Sequence, residues 1–127
     1  MSATAPAGNL SVAALTIDCA DPATLADFWA KVLGRPVSAD AGPENAVVEA
    51  TDPASGPQLF FQKVPESKTV KNRLHLDLVT EHHEEETGRL AGLGARPVNE
   101  LKFPWAKWTT FADPEGNEFD LLTFQSE

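Results

Sequence analysis

The first apolar pattern along the chain alternates. In "SVAALTIDC", residues 11–19, Leu15, Ile17 and Cys19 take turns with Ala14, Thr16 and Asp18. A period of two puts successive side chains on opposite faces of a half-buried strand. The period then changes. In "DPATLADFWAKVLG", residues 21–34, Leu25, Phe28, Trp29, Val32 and Leu33 fall at i, i+3, i+4, i+7 and i+8, one stripe of an amphipathic helix. Asp21 is placed to accept from the free N–H groups of the first turn, Pro22 suits that turn, and Gly34 supplies a left-handed end. Trp29 belongs to the stripe, so core packing is its expected role.

Shorter strands follow at "PVSAD" (36–40), "NAVVEAT" (45–51) and "PQLFFQKV" (57–64). In the last, Phe60, Gln62 and Val64 share one face and Leu59, Phe61 and Lys63 the other. The polar, Pro-led "PESKTVKN" (65–72) reads as a linker. "RLHLDLVT" (73–80) alternates again, with Leu74, Leu76 and Leu78 opposite His75, Asp77 and Val79. "EHHEEETGRLAGLG" (81–94) predicts a second, less amphipathic helix whose apolar face is Leu90 and Leu93. Its His82-His83 pair reads as solvated surface, because neighbours on a helix point about 100° apart and share a metal poorly. "RPVNE" (96–100) is a short strand. "KWTTFA" (107–112) and "EFDLLTF" (118–124) predict a closing hairpin around Asp113-Pro114-Glu115-Gly116, a type I turn followed by a left-handed glycine. Asp113 is expected to accept backbone N–H bonds there.

The order β, α, then about three strands runs twice. "LGRPV" (33–37) returns as "LGARPV" (93–98), with Arg35 lying 61 residues before Arg96 (96 − 35). One repeat at that distance is too long and too few for a solenoid. It points to two βαβββ modules, about 11–64 and 73–124, within one domain of residues 11–127 behind a flexible lead of residues 1–10.

Composition narrows the partners. The 127 residues are 42% hydrophobic, enough for a core, and 19 acids against 10 bases give a net charge of −9. That balance opposes nucleic acid and anionic membranes, which select basic surfaces. No apolar run nears the roughly 18–20 residues of a membrane span. The opening "MSATAPAGNL" lacks the basic and apolar parts of a secretory signal, so a cytoplasmic location is expected. Cys19 is the single cysteine and reads as a buried, inert thiol.

Three stretches, "IDCADPATLADFWAKVLGRPV", "RLHLDLVT" and "FADPEGNEFDLL", resemble the vicinal oxygen chelate superfamily, in particular its small glyoxalase-like, bleomycin-resistance-like proteins. The resemblance runs from about residue 12 to residue 124. It implies an α+β fold in which two βαβββ modules form one curled mixed sheet, a cup, with helices on the outer side. It also implies a homodimer and a ligand held in the cup.

Metal-using members of that superfamily draw ligands from four strands. Carried over by the resemblance, the positions fall on Ala14, Gln62, His75 and Asp120. The internal repeat pairs the first with the third (14 + 61 = 75). Alanine has no ligand atom, and His75, Gln62 and Asp120 are a poor set for zinc or iron. The expectation is therefore a metal-independent small-molecule binder, with Thr16, Asp18, Phe60, Gln62, His75, Trp105, Trp108 and Asp120 lining the pocket. Trp105 and Trp108 suit a pocket wall because large rings give flat apolar area. The alternative is an enzyme of lyase, isomerase or dioxygenase type on a small oxygenated substrate. It would use a divalent metal on His75, Asp120 and Gln62, or His75 as a base oriented by Asp77.

Overall fold

The computed structural model describes residues 8–125. Most of the expected lead, residues 1–7, lies outside the described residues, and Gly8 to Leu10 are exposed without regular structure. The elements run β1 (Ala14–Cys19), α1 (Pro22–Leu33), β2 (Asn45–Val48), a 3₁₀ turn (Pro53–Ser55), β3 (Gln58–Lys63), β4 (Asp77–Val79), α2 (His83–Leu93), β5 (Arg96–Phe103), β6 (Ala106–Ala112) and β7 (Glu118–Phe124).

The first helix forms where its sequence signals place it. The Asp21 side chain accepts from Thr24 N and Thr24 Oγ1 at 3.2 and 2.8 Å, and Gly34 ends the helix at φ 65°. Its stripe is buried: Leu25, Phe28, Trp29 and Val32 are core residues, each worth about 1.5–3 kcal/mol of burial. They pack with Leu59 and Phe61 of β3 and with Phe111, Phe119 and Leu121 of the closing hairpin in one apolar cluster. Cys19 belongs to the same cluster, where burial first and then nearby carboxylates push its thiol up to about 11.

The expected single curled sheet does not form. The strands make two separate mixed sheets, ordered β1-β3-β2 and β4-β7-β6-β5. β1 runs parallel to β3 and β4 parallel to β7; the remaining pairs are antiparallel. Among the described residues no strand of one sheet pairs with a strand of the other. Residues 73–76, expected as the first half of a strand running to residue 80, carry no ladder, and Leu74 is largely exposed. Asn72 ties this segment to β7 instead: its Oδ1 accepts from Glu118 N at 3.0 Å and its Nδ2 donates to Glu118 O at 3.3 Å. A cleft of about 490 Å³ separates Leu15–Asp18 of β1 from Asn72–Leu76.

The two modules are also unequal. The second follows the β, α, three-strand order. In the first, the strand expected at 36–40 shrinks to one bridge between Val37 and Val48. The shared Arg-Pro-Val does different work in each copy. Arg35 is buried and donates to the carbonyls of Ser55 and Pro57 at 2.9 and 3.0 Å, whereas Arg96 is exposed on β5.

The closing turn is the brace between the halves. Asp113 is buried and accepts four hydrogen bonds. Glu115 N and Asn117 N donate to Oδ1, both at 2.9 Å; Trp29 Nε1 and Asn117 Nδ2 donate to Oδ2, at 3.1 and 3.2 Å. Glu115 reaches the loop before α1, accepting from Ala20 N and Asp21 N, both at 2.8 Å. Gly116 stands at φ 87°, a region that side chains disfavour.

The two histidines that open α2 part company. His82 is exposed beside Glu85 at 3.3 Å. His83 is buried, correcting the expected solvated pair. Its Nδ1 meets Thr123 Oγ1 at 2.8 Å and its Nε2 meets Thr109 Oγ1 at 2.9 Å. Burial, and next the Lys107 charge, lower its pKa below the ordinary 6.5; Glu100 and Glu84 act the other way. The unfolded chain then takes up this proton first as pH falls. The stability contributed by neutral His83 is complete above about 6.5 and is lost below it. Urea midpoints are expected to drop between pH 7 and 5, and His83→Gln to flatten that slope.

Candidate functional site

Three polar side chains converge at the β4–β7 ladder. Asp77 opens β4 and pairs in register with Asp120 of β7. His75 stands two residues before Asp77 and turns its imidazole onto both. Its Nε2 lies 3.1 Å from Asp77 Oδ1 and 3.4 Å from Asp120 Oδ2. One donor atom from each residue lies within 4.8 Å of the other two. Ligand atoms about 2.0–2.2 Å from a common ion stand about 3.0–3.5 Å apart at tetrahedral or octahedral angles. The His75 distances fall in that range.

Electrostatics favour a cation here. Two carboxylates directly opposite on neighbouring strands repel unless a positive charge lies between them. The Asp120 side chain is the least exposed of the three, at 18% against 49% for His75 and 53% for Asp77. Thr110 Oγ1 donates to Asp120 Oδ1 at 2.6 Å, which fixes the carboxylate and leaves Oδ2 facing His75. Such outer bonds orient metal ligands. An imidazole and two carboxylates form a donor set for manganese, iron or zinc.

Two cavities flank His75. One, of about 260 Å³, is lined by His75, Asp120, Thr110, Asn99, Lys71 and Glu118 among others. There Lys71 donates to Glu118 and holds that carboxyl below its ordinary range. The other is the 490 Å³ cleft between the sheets, which Thr16, Asp18 and His75 help to line. Thr16 and Asp18 thus stand at the cleft, across from the segment carrying His75.

The remaining expected site residues lie elsewhere. Ala14 opens β1 opposite Gln58, Phe60 pairs with Thr16, and Gln62 sits between Asp18 and Asn45, all on the three-stranded sheet. Neither Phe60 nor Gln62 lines a cavity beside His75. Trp105 and Trp108 group with Phe103: Trp105 stacks on it with ring centres 5.3 Å apart, and Trp108 tilts against it at 5.0 Å. Trp108 pairs with Leu122, and Thr110 pairs with Asp120, so this cluster is one row along the same face from the acids. Half of the Trp105 surface is exposed.

Thr110 and Lys71 are site residues that the sequence reading missed. Thr110 was within reach: a hairpin centred on Glu115 pairs positions summing to 230, hence 110 with 120. No local signal marks Lys71.

With fold and site described, the family follows. The chain belongs to the glyoxalase-like domain family, whose family model matches residues 14–122, and so to the vicinal oxygen chelate superfamily. No curated protein matches it. Solved structures share the fold at low identity. The fosfomycin resistance protein FosX from Listeria monocytogenes is 13% identical with a TM-score of 0.72, over 91% of this chain and 94% of that one. A mutant of that FosX, complexed with Mn(II) and 1S,2S-dihydroxypropylphosphonic acid, is 16% identical with a TM-score of 0.70, over 87% of each chain. The oxidase ChaP-H2 is 23% identical with a TM-score of 0.68, over 92% of this chain and 95% of that one.

Proposed function

We propose that this protein is a divalent-metal-dependent enzyme acting on a small oxygenated substrate, with His75, Asp77 and Asp120 as the metal ligands. The convergence of their donor atoms within 4.8 Å carries this reading. Metal independence was expected because Ala14 left the set one ligand short. Asp77 replaces the neutral amide of Gln62 with a second carboxylate, so all three donors present are good metal ligands. The manganese complex of a structural relative supports metal dependence.

A bound ion would polarise neighbouring substrate oxygens as a Lewis acid. The chain's own residues do the rest. Thr110 orients Asp120, and Lys71, Val98 and Asn99 line the cavity where a substrate would rest. The family's reaction types (lyase, isomerase or dioxygenase) remain the candidates for the chemistry.

Calorimetric titration of chelator-treated protein with Mn²⁺, Ni²⁺ and Zn²⁺ tests the proposal. One-to-one binding is expected, and His75→Ala should abolish it. Absence of binding in folded wild-type protein would return the site to a metal-free pocket.

The working form is expected to be a homodimer in the cytoplasm. Leu101, Phe103, Trp105 and Phe124 expose apolar surface at the β5–β6 end of the four-stranded sheet and Val79 does so on its far edge strand, more apolar surface than isolated chains usually leave open. A second copy is the natural cover for it. Sedimentation should give twice the chain mass of 13.7 kDa, and Trp105→Ser with Phe124→Ser should give single chains.

A further inference from the structure

The cleft between the sheets has a different character from the acid cluster beside it. Leu15 and Ile17 of β1, Leu74, Leu76 and Phe119 give it an apolar lining, and Trp29 stands among them. Its walls carry opposite charges. Asp18 lines the β1 side and Arg73 the facing segment, and Arg73 is the only lysine or arginine in the lining. Among the described residues neither makes an ion pair, with each other or with another group. The other acids of the cleft are committed: Asp113 to the closing turn and Trp29, Glu118 to Lys71. The backbone that carries Arg73 is anchored next to it, where Asn72 bonds to Glu118 through both side-chain atoms. A chain of net charge −9 that keeps an arginine unpaired here leaves its guanidinium free for a ligand.

We infer that this cleft binds a small carboxylate that carries an adjacent hydroxyl or ammonium donor and an apolar tail, with Arg73 holding the carboxylate and Asp18 the donor. Planar guanidinium matches a carboxylate through two parallel hydrogen bonds. Asp18 accepts from an OH or NH₃⁺ on the next carbon, and the tail lies on Leu15, Ile17 and Phe119. About 490 Å³ is room for a phenyl-sized tail and falls within the ordinary range of ligand sites. The assignment deepens the proposed function by giving its substrate class, since His75 lines both this cleft and the metal cluster's cavity.

Trp29 reports on occupancy in a Trp105→Phe, Trp108→Phe background, titrated in chelator with L-phenyllactate, L-phenylalanine, 3-phenylpropanoate and L-phenylalaninamide. Either or both of the first two probes should bind, and comparing them tells hydroxy acid from amino acid. The amide should fail for want of an anion, and phenylpropanoate should bind more weakly for want of a donor. Arg73→Gln should weaken binding at least about tenfold, and Asp18→Asn should remove the advantage over phenylpropanoate. Equal binding of the amide, unchanged affinity in Arg73→Gln, or no binding of any probe at millimolar concentration would overturn the inference. A Mn²⁺ titration of Arg73→Gln keeps the two proposals separate: wild-type metal affinity is expected there, so a failed cleft leaves the metal site standing, and the reverse.

Discussion

Asp113→Ala is expected to destabilise the fold by about 3–5 kcal/mol. The carboxylate is buried and accepts four hydrogen bonds. A hydrogen bond to a charged group contributes about 1.5–3 kcal/mol, and a buried donor left alone costs about 1–3 kcal/mol. Alanine would strand the Trp29 indole N–H in the core and release two backbone N–H groups of the turn. Domains of this size hold only about 5–15 kcal/mol in total, so much of the margin would go. Urea unfolding followed by Trp fluorescence measures the loss. Asp113→Asn keeps an acceptor for part of the set and should fall between the two. A midpoint within 0.5 kcal/mol of wild type for Asp113→Ala, an order-of-magnitude bound for ordinary surface changes, would mean that the brace contributes little.

The second large effect separates the two ligand sets. Asp77→Ala is expected to lower Mn²⁺ affinity by at least about a hundredfold, and Gln62→Ala to leave it unchanged. Loss of an outer-shell partner alone costs about 10–100-fold, and a direct ligand should cost no less. Asp77 faces the His75 nitrogen at 3.1 Å, while Gln62 lies on the other sheet. The opposite result, Gln62 essential and Asp77 dispensable, would restore the ligand set that family resemblance suggests. Calorimetry on the purified variants decides it, with far-UV circular dichroism confirming that each is folded.

What the sequence revealed divides by the range of the interaction. The first helix was legible from end to end because its stripe, its Asp21 cap and its Gly34 terminus are all local. The closing hairpin was legible for the same reason: the turn fixes the register, and the register brings Thr110 to Asp120. The sheet arrangement was not. Residues 73–76 follow Asn72, which meets Glu118, 46 residues away, and no pattern in "RLHLDLVT" records that meeting. The shared Arg-Pro-Val likewise hid a difference, since only the tertiary setting buries Arg35. His83 reads as surface in the sequence because α2 has few apolar residues, so its buried side is not outlined by its neighbours.

The site shows the same division. His75 and Asp77 were placed together by alternation along one short stretch, and Asp120 by the family's last-strand motif. The closeness of Asp77 to Asp120 is a matter of pairing between β4 and β7. Alternation alone assigned Asp77 to orienting His75. The register also sets it beside Asp120, and the proposed metal set rests on that pairing.

The bonds from Glu115 to the chain ahead of the first helix span 94 and 95 residues, and that from Trp29 to Asp113 spans 84. Contacts this distant are slow to find. During synthesis, at about 5–20 residues per second, the helix at 22–33 emerges seconds before the turn that braces it. Until residues 113–117 clear the ribosome, Trp29 has no partner for its indole and the loop at 20–21 lacks its carboxylate. The first module therefore completes its contacts only when the second is nearly made, on a signal written near the other end of the message.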